Sequence, residues 1–177
     1  SFLKWAGGKT KILPKILKHF KPSKRFVEPF FGGGSVFLNS QYNKCLINDI
    51  NPDLTLIWSC LKERGPFFIE RCCSLFTEEN NTKDRYYELR EEFNRLENNK
   101  RSKKYDVQRA SLFLYLNKHC WNGLCRYSIT KDGFLKFNVP YAKYKTVNCP
   151  KDKLYFCQNH IKSHDVQIEN KDFREIF

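Results

Sequence analysis

The run FVEPFFGGGSVF, Phe26 to Phe37, constrains the fold more than any other stretch of the chain. β-Branched and aromatic residues, an acid, a proline, three glycines and a small polar residue follow one another. That order predicts a buried strand ending in a nucleotide-type turn, without a phosphate signature, that opens a helix. Glycines in such a turn let the backbone come within contact distance of a ligand. Gly32 and Gly34 fit the start of GxGxxG, but Phe37 stands where the third glycine belongs, which disfavours an NAD or FAD site. A plain glycine-rich loop is the competing reading, because isolated glycine motifs produce many false positives.

Two neighbouring stretches favour the ligand role. CLINDI, Cys45 to Ile50, reads as a second strand and carries Asp49 seventeen residues after Gly32. An acid at that place accepts hydrogen bonds from ribose hydroxyls. NPDL follows, so Asn51 is also a candidate helix cap with Pro52 at the first helical position. Upstream, FLKWAGGK offers Trp5 to stack on a ligand and Lys9 to bring charge to it. Gly8, Lys9 and Thr10 look like the tail of a Walker loop, yet its first glycine would fall on Leu3, so an ATP phosphate cradle is not expected. Ile12, Leu13, Ile16, Leu17 and Phe20 then recur at the spacing of an amphipathic helix.

From Leu54 to about Leu96 the pattern is helical, with a break at Gly65 and Pro66 and a charged run from Tyr86 that reads as a solvated face. Asn98 to Lys104 forms a polar basic loop, and Leu112 to Leu116 resumes a helix. Asn117 to Lys145 is the most unusual segment. Asp132 and Gly133 mark a hairpin turn flanked by Tyr127, Ile129, Phe134 and Phe137. Around it Lys118, Arg126, Lys131, Lys136, Lys143 and Lys145 interleave with Trp121, Tyr127, Tyr141 and Tyr144. Basic groups bind phosphates, rings stack or wedge between bases, and an arginine can present two donors to guanine. The bland alternative is an exposed hairpin with ordinary surface lysines. The end of the chain reads as a helix through Leu154, Phe156 and Ile161, a strand at Val166 to Ile168, and a new start at Asp172.

Lys plus Arg exceed Asp plus Glu by 32 to 19, a formal charge of +13 that attracts polyanions, with nucleic acid the leading partner. A membrane surface is less favoured, since no apolar run reaches spanning length and no signal peptide opens the chain, and a cytoplasmic protein beside nucleoid or viral DNA is expected. The eight cysteines are scattered through apolar neighbourhoods, as reduced core cysteines are. Cys149, Cys157, His160 and His164 lack the paired CxxC of a zinc site, so no metal is expected. The 177 residues allow one compact unit with an insertion, and the lack of any methionine points to a chain shorter than the translated product.

FLKWAGGK, VEPFFGGGSVFLN, NDINPDL, NKHCWNGLCRYS and FNVPYAKYK resemble, in order, the Dam family of DNA adenine methyltransferases, which use S-adenosylmethionine and commonly act within GATC. The resemblance implies an α/β fold: part of a Rossmann-like methyltransferase sheet with an inserted helical and β-hairpin target-recognition domain. Residues 1–53 and 146–177 would belong to the catalytic domain and 54–145 to the insertion. It implies cofactor contacts from Trp5, Lys9, Glu28, Pro29, Phe30, Gly32, Gly34, Ser35 and Asp49. Lys4, Trp121, Asn122, Leu124, Arg126 and Pro140 would belong to the recognition surface, joined by the basic and aromatic Lys118, Tyr127, Lys143, Tyr144 and Lys145. Arg126 would read a guanine, Leu124 a thymine methyl, and Trp121 would fill the disturbed duplex after the adenine is flipped out.

The family's DPPY motif, whose residues hold the flipped adenine, does not occur in the sequence, so no residue is assigned a catalytic role. A truncated piece, a half-enzyme completed by a partner chain, and a natural remnant are the three readings, the first two preferred. Rival functions are a non-catalytic DNA-binding module and an RNA or N4-cytosine methyltransferase.

Overall fold

Pro29 has no N–H and ends the first strand after three residues, while Pro52 sits where a helix needs no donor and starts the longest one. The computed structural model describes residues 1–96 and 103–176. Its strands are β1 (Phe26–Glu28), β2 (Lys44–Asn48), β3 (Tyr127–Ile129), β4 (Leu135–Phe137) and β5 (Asp165–Glu169). Its helices are α1 (Leu13–Leu17), α2 (Pro52–Cys73), α3 (Lys83–Arg95), α4 (Asp106–His119) and α5 (Lys151–Lys162). The expected basic loop at Asn98 to Lys104 lies mostly outside the described residues, and Lys103 and Lys104 open a short 3-10 turn.

Strands β1, β2 and β5 form a parallel sheet in that order, with Val27 opposite Leu46 and Cys45 opposite Val166. All three therefore point their C-terminal ends at one edge, where Asn48 knots them together. Its Nδ2 donates to the carbonyls of Pro29 (3.1 Å) and Lys171 (3.0 Å), and its Oδ1 accepts from the Lys171 N–H (2.9 Å). Strands β3 and β4 make a separate antiparallel hairpin.

Helix α2 joins the two regions. Asn51 caps it, accepting from the N–H groups of Asp53 and Leu54, and its buried Trp58 packs against Phe2, Phe31 and Phe37 below the sheet. The expected break falls at Gly65, where φ is 45° inside an otherwise continuous helix. One hydrophobic core runs from Phe37 and Ile47 through α2 to Phe93, Phe113 and Phe137.

Two expectations are corrected. The amphipathic helix at Ile12 to Phe20 is only the five residues of α1, with Pro14 in its first turn and no fully buried side chain. Phe20 instead joins Phe26 and Tyr42 in an aromatic cluster. The cysteines are not all reduced: Cys73, at the end of α2, is bonded to Cys149, ahead of α5. The scatter that reads as reduced core hides a pair separated by 76 positions whose Cα atoms lie 5.3 Å apart. No helix of the described residues is long and apolar enough to cross a membrane.

Candidate functional site

Ligands of parallel α/β sheets lie beyond the carboxyl ends of the strands. There, Trp5, Ala6, Gly7, Gly8, Lys9, Phe30, Phe31, Gly32, Gly33, Ser35 and Asp49 line a cleft of about 210 Å³. Larger clefts lie by Thr55 and Arg64, by Leu17 and Tyr42, and by Asn94 and Phe134, but none of these combines a glycine turn with a strand-end carboxylate. The Asp49 carboxylate is partly exposed and braces the turn: Oδ2 accepts from the Gly32 N–H (2.9 Å) and Oδ1 from the Asn51 N–H (3.0 Å). Each oxygen keeps acceptor capacity toward the cleft.

Lys9 is fixed from below. Its Nζ donates to Glu28 Oε1 (3.2 Å) and to the Phe30 carbonyl (2.7 Å), while Glu28 Oε2 accepts from the Phe37 N–H (3.1 Å). Burial pushes the Glu28 carboxyl up to about 7, against the pull of Lys9.

Of the residues expected at a cofactor, Trp5, Lys9, Phe30, Gly32, Ser35 and Asp49 meet in this cleft. Glu28, Pro29 and Gly34 do not line it. Glu28 is buried beneath it, Pro29 spends its carbonyl on Asn48, and Gly34 turns toward the core. A Cβ on Gly34, where φ is +77°, would stand 2.8 Å from Phe31 and from Trp58. A Cβ on Gly32 would meet the Trp5 indole at 3.1 Å. The turn is thus glycine-rich largely to admit this chain's own aromatic rings, a role that glycine spacing does not reveal. The lining residues Ala6, Gly7, Gly8, Phe31 and Gly33 lie inside the two motifs and were open to inference; Asn48 was not, because its partner at 171 is remote in sequence.

A second constellation gathers on the hairpin side. The Trp121 N–H donates to the Pro140 carbonyl (2.9 Å), Cys120 bridges Tyr141, and the Ala142 N–H donates to the His119 carbonyl (3.0 Å). The 140–145 segment is thereby laid beside the turn at 121–124, with Tyr144 and Lys145 held through Asn81 Nδ2. Lys4 joins from the N-terminus, its Nζ 4.2 Å from the centre of the Tyr144 ring. Trp121 is 55% and Leu124 39% exposed, an apolar pair with Asn122, Arg126, Lys143 and Pro140 also on the surface. Partial burial, with Lys4 and Lys153 nearby, draws the Lys118 ammonium down to about 8. Arg126 is exposed and donates through Nε to Asn138 Oδ1 (2.8 Å). Tyr127 is placed differently: its hydroxyl donates inward to Asp53 Oδ2 (2.7 Å), which makes it an anchor of the hairpin rather than an outward ring. Cys149 is held by Cys73, and no group of metal-ligating side chains occurs among the described residues.

A family profile for D12 class N6 adenine-specific DNA methyltransferases matches residues 5–177. The chain belongs to that family. The DNA adenine methylase of Serratia marcescens is 43% identical over 156 residues, which cover 88% of this chain and 54% of that protein. That of Escherichia coli K12 is 41% identical over 155 residues, covering 88% and 52%, and that of Vibrio cholerae O1 40% over 156, covering 88% and 52%. This D12-class chain therefore spans about half the length of the curated relatives it matches.

Proposed function

We propose that this chain carries the cofactor cleft and the target-reading surface of an enzyme that methylates the exocyclic amino group of adenine in duplex DNA, within GATC, with S-adenosylmethionine as donor. The observation that carries the reading is the cleft in which Trp5, Lys9, the glycine turn and Asp49 meet at the carboxyl edge of a parallel sheet. In this reading the sheet is part of a Rossmann-like catalytic domain, built from residues 1–53 and 146–177, and 54–145 form an inserted recognition domain.

The donor set fits the cofactor: an indole face, a carboxylate with free acceptor capacity, an ammonium and exposed backbone at Gly7 and Gly8. When bound, S-adenosylmethionine supplies a methyl group already activated by a sulfonium. The chain's own residues bind and orient. Asp49 would accept the ribose hydroxyls, Trp5 would stack, and the Glu28-held Lys9 would fix polar groups near the turn. On the other face Trp121 is exposed enough to enter a duplex opened by base flipping, and Arg126 to read a base edge.

Binding of labelled S-adenosylmethionine to this chain is the first test, and no binding, even with the C-terminal half of a relative supplied, would leave only a DNA-binding module. Methyl transfer by the completed enzyme to GATC but not scrambled duplex is the second; equal labelling of both would remove the target. Arg126→Ala is expected to weaken binding to the cognate duplex by about 1–3 kcal/mol and to leave scrambled DNA unaffected. A uniform loss across sequences would make Arg126 a phosphate contact.

A further inference from the structure

We propose that Asn117 is a positioning residue that couples occupancy of the Trp5–Asp49 cleft to the seating of a duplex on the turn at 121–124, an inference that rests on the function proposed above. Asn117 lies on α4 and is 1% exposed. Its Oδ1 accepts from the Lys4 N–H (2.9 Å), and its Nδ2 donates to the Lys4 carbonyl (2.7 Å) and to the Gly123 carbonyl (3.1 Å). One buried amide therefore clamps both backbone groups of Lys4 and, on its other donor, the recognition turn.

Each end of that clamp is one or two residues from a proposed ligand. Lys4 precedes Trp5, whose indole lines the cleft and lies against Gly32. Gly123 follows Trp121 and Asn122, and Asn122 is itself held in the left-handed region at φ 55°. The Lys4 side chain crosses the gap between them. A Cβ on Gly123 would stand 2.3 Å from Lys4 Cβ, and Lys4 Nζ continues to the Lys118 carbonyl (3.5 Å) and the Tyr144 ring. A shift of the Trp5 backbone that carries Lys4 with it must either open the Asn117 bonds or draw the turn at Gly123 along through them. Sites joined through such a shared element typically change each other's affinity by about 5–150-fold, equally in both directions.

The test measures the affinity of this chain for S-adenosylhomocysteine, an unreactive analogue, with and without a GATC duplex, and the reverse. The wild type should show at least about a fivefold gain. Asn117→Ala removes the clamp, and Gly123→Ala pushes on Lys4 from the opposite side, so neither reading depends on one variant folding. In both, the gain should fall below about twofold; Asn117→Ala, which touches neither ligand, should keep each ligand alone within about threefold of wild type, whereas Gly123→Ala, in the turn that seats the duplex, is held to that limit for S-adenosylhomocysteine alone. An unchanged gain in the folded variants overturns the coupling. So does a parallel loss of both single-ligand affinities with loss of helical signal, which would make Asn117 merely structural. A wild type that binds both ligands without any gain overturns this inference alone; a wild type that binds no analogue overturns the proposed function and this inference with it.

Discussion

Asp53→Ala is expected to lower the unfolding free energy by about 3–5 kcal/mol, because it strips the partner from a buried cation. Asp53 and Arg109 are each 1% exposed. The guanidinium meets the carboxylate as a fork, Nε to Oδ1 at 2.6 Å and Nη2 to Oδ2 at 3.0 Å, the strongest geometry for such a pair. Asp53 also lies in the first turn of α2, where the helix dipole favours an anion, and accepts the Tyr127 hydroxyl. Arg109 is further tied to the Phe93 and Leu96 carbonyls and lies 4.0 Å over the Phe93 ring. The pair thus pins α2, α3, α4 and the hairpin at one point. Urea unfolding reads the loss directly, and a melting temperature lower by roughly 6–20 °C should accompany it. Arg109→Met in the Asp53→Ala background should restore part of the stability, since it removes the stranded charge. A loss below about 1 kcal/mol for the single variant would place the hairpin's anchorage elsewhere.

That ion pair marks the limit of what the sequence made legible. Local signals were read well: Pro52 and Asn51 started α2, Gly65 kinked it, and Asp132 with Gly133 turned the hairpin, because each acts through its own backbone. The cleft was legible as two motifs and the acid Asp49 that follows them. What remained hidden depends on partners far apart in the chain. Asp53 reads as an ordinary first-turn acid until α4 brings Arg109 to it, and Tyr127 reads as a free aromatic until the hairpin folds back on α2. Cys73 with Cys149, Asn48 with Lys171 and Asn117 with Lys4 are hidden for the same reason. The glycines' conformational freedom is local and was legible, whereas the Trp5 and Trp58 rings that lie against Gly32 and Gly34 come from elsewhere in the fold and were not.

Glu28→Gln is expected to stabilise the protein above pH 7 by about 3 kcal/mol while weakening the cleft. Desolvation raises the Glu28 carboxyl from its usual 4.5 to about 7, outweighing Lys9 and the Phe37 N–H. Between those values the folded chain keeps a proton that the unfolded chain has released, so Glu28 takes stability away as pH rises through 7 and no more beyond it. His119 works in the opposite sense. Burial lowers its imidazole from 6.5 to about 4, so the unfolded chain binds the extra proton and stability is lost as pH falls through that range. The two effects overlap and nearly cancel in the wild type, and only the difference between wild-type and Glu28→Gln stability curves isolates the carboxylate. That difference should open between about pH 4.5 and 7 and then stay level; a flat difference would mean that Glu28 is no more costly to ionise than in the unfolded chain. The amide keeps an acceptor for the Phe37 N–H but withdraws the charge that holds Lys9. The variant should therefore bind S-adenosylmethionine more weakly at pH 8 even though it is harder to unfold, as expected where a costly buried charge is kept to hold a functional group in place.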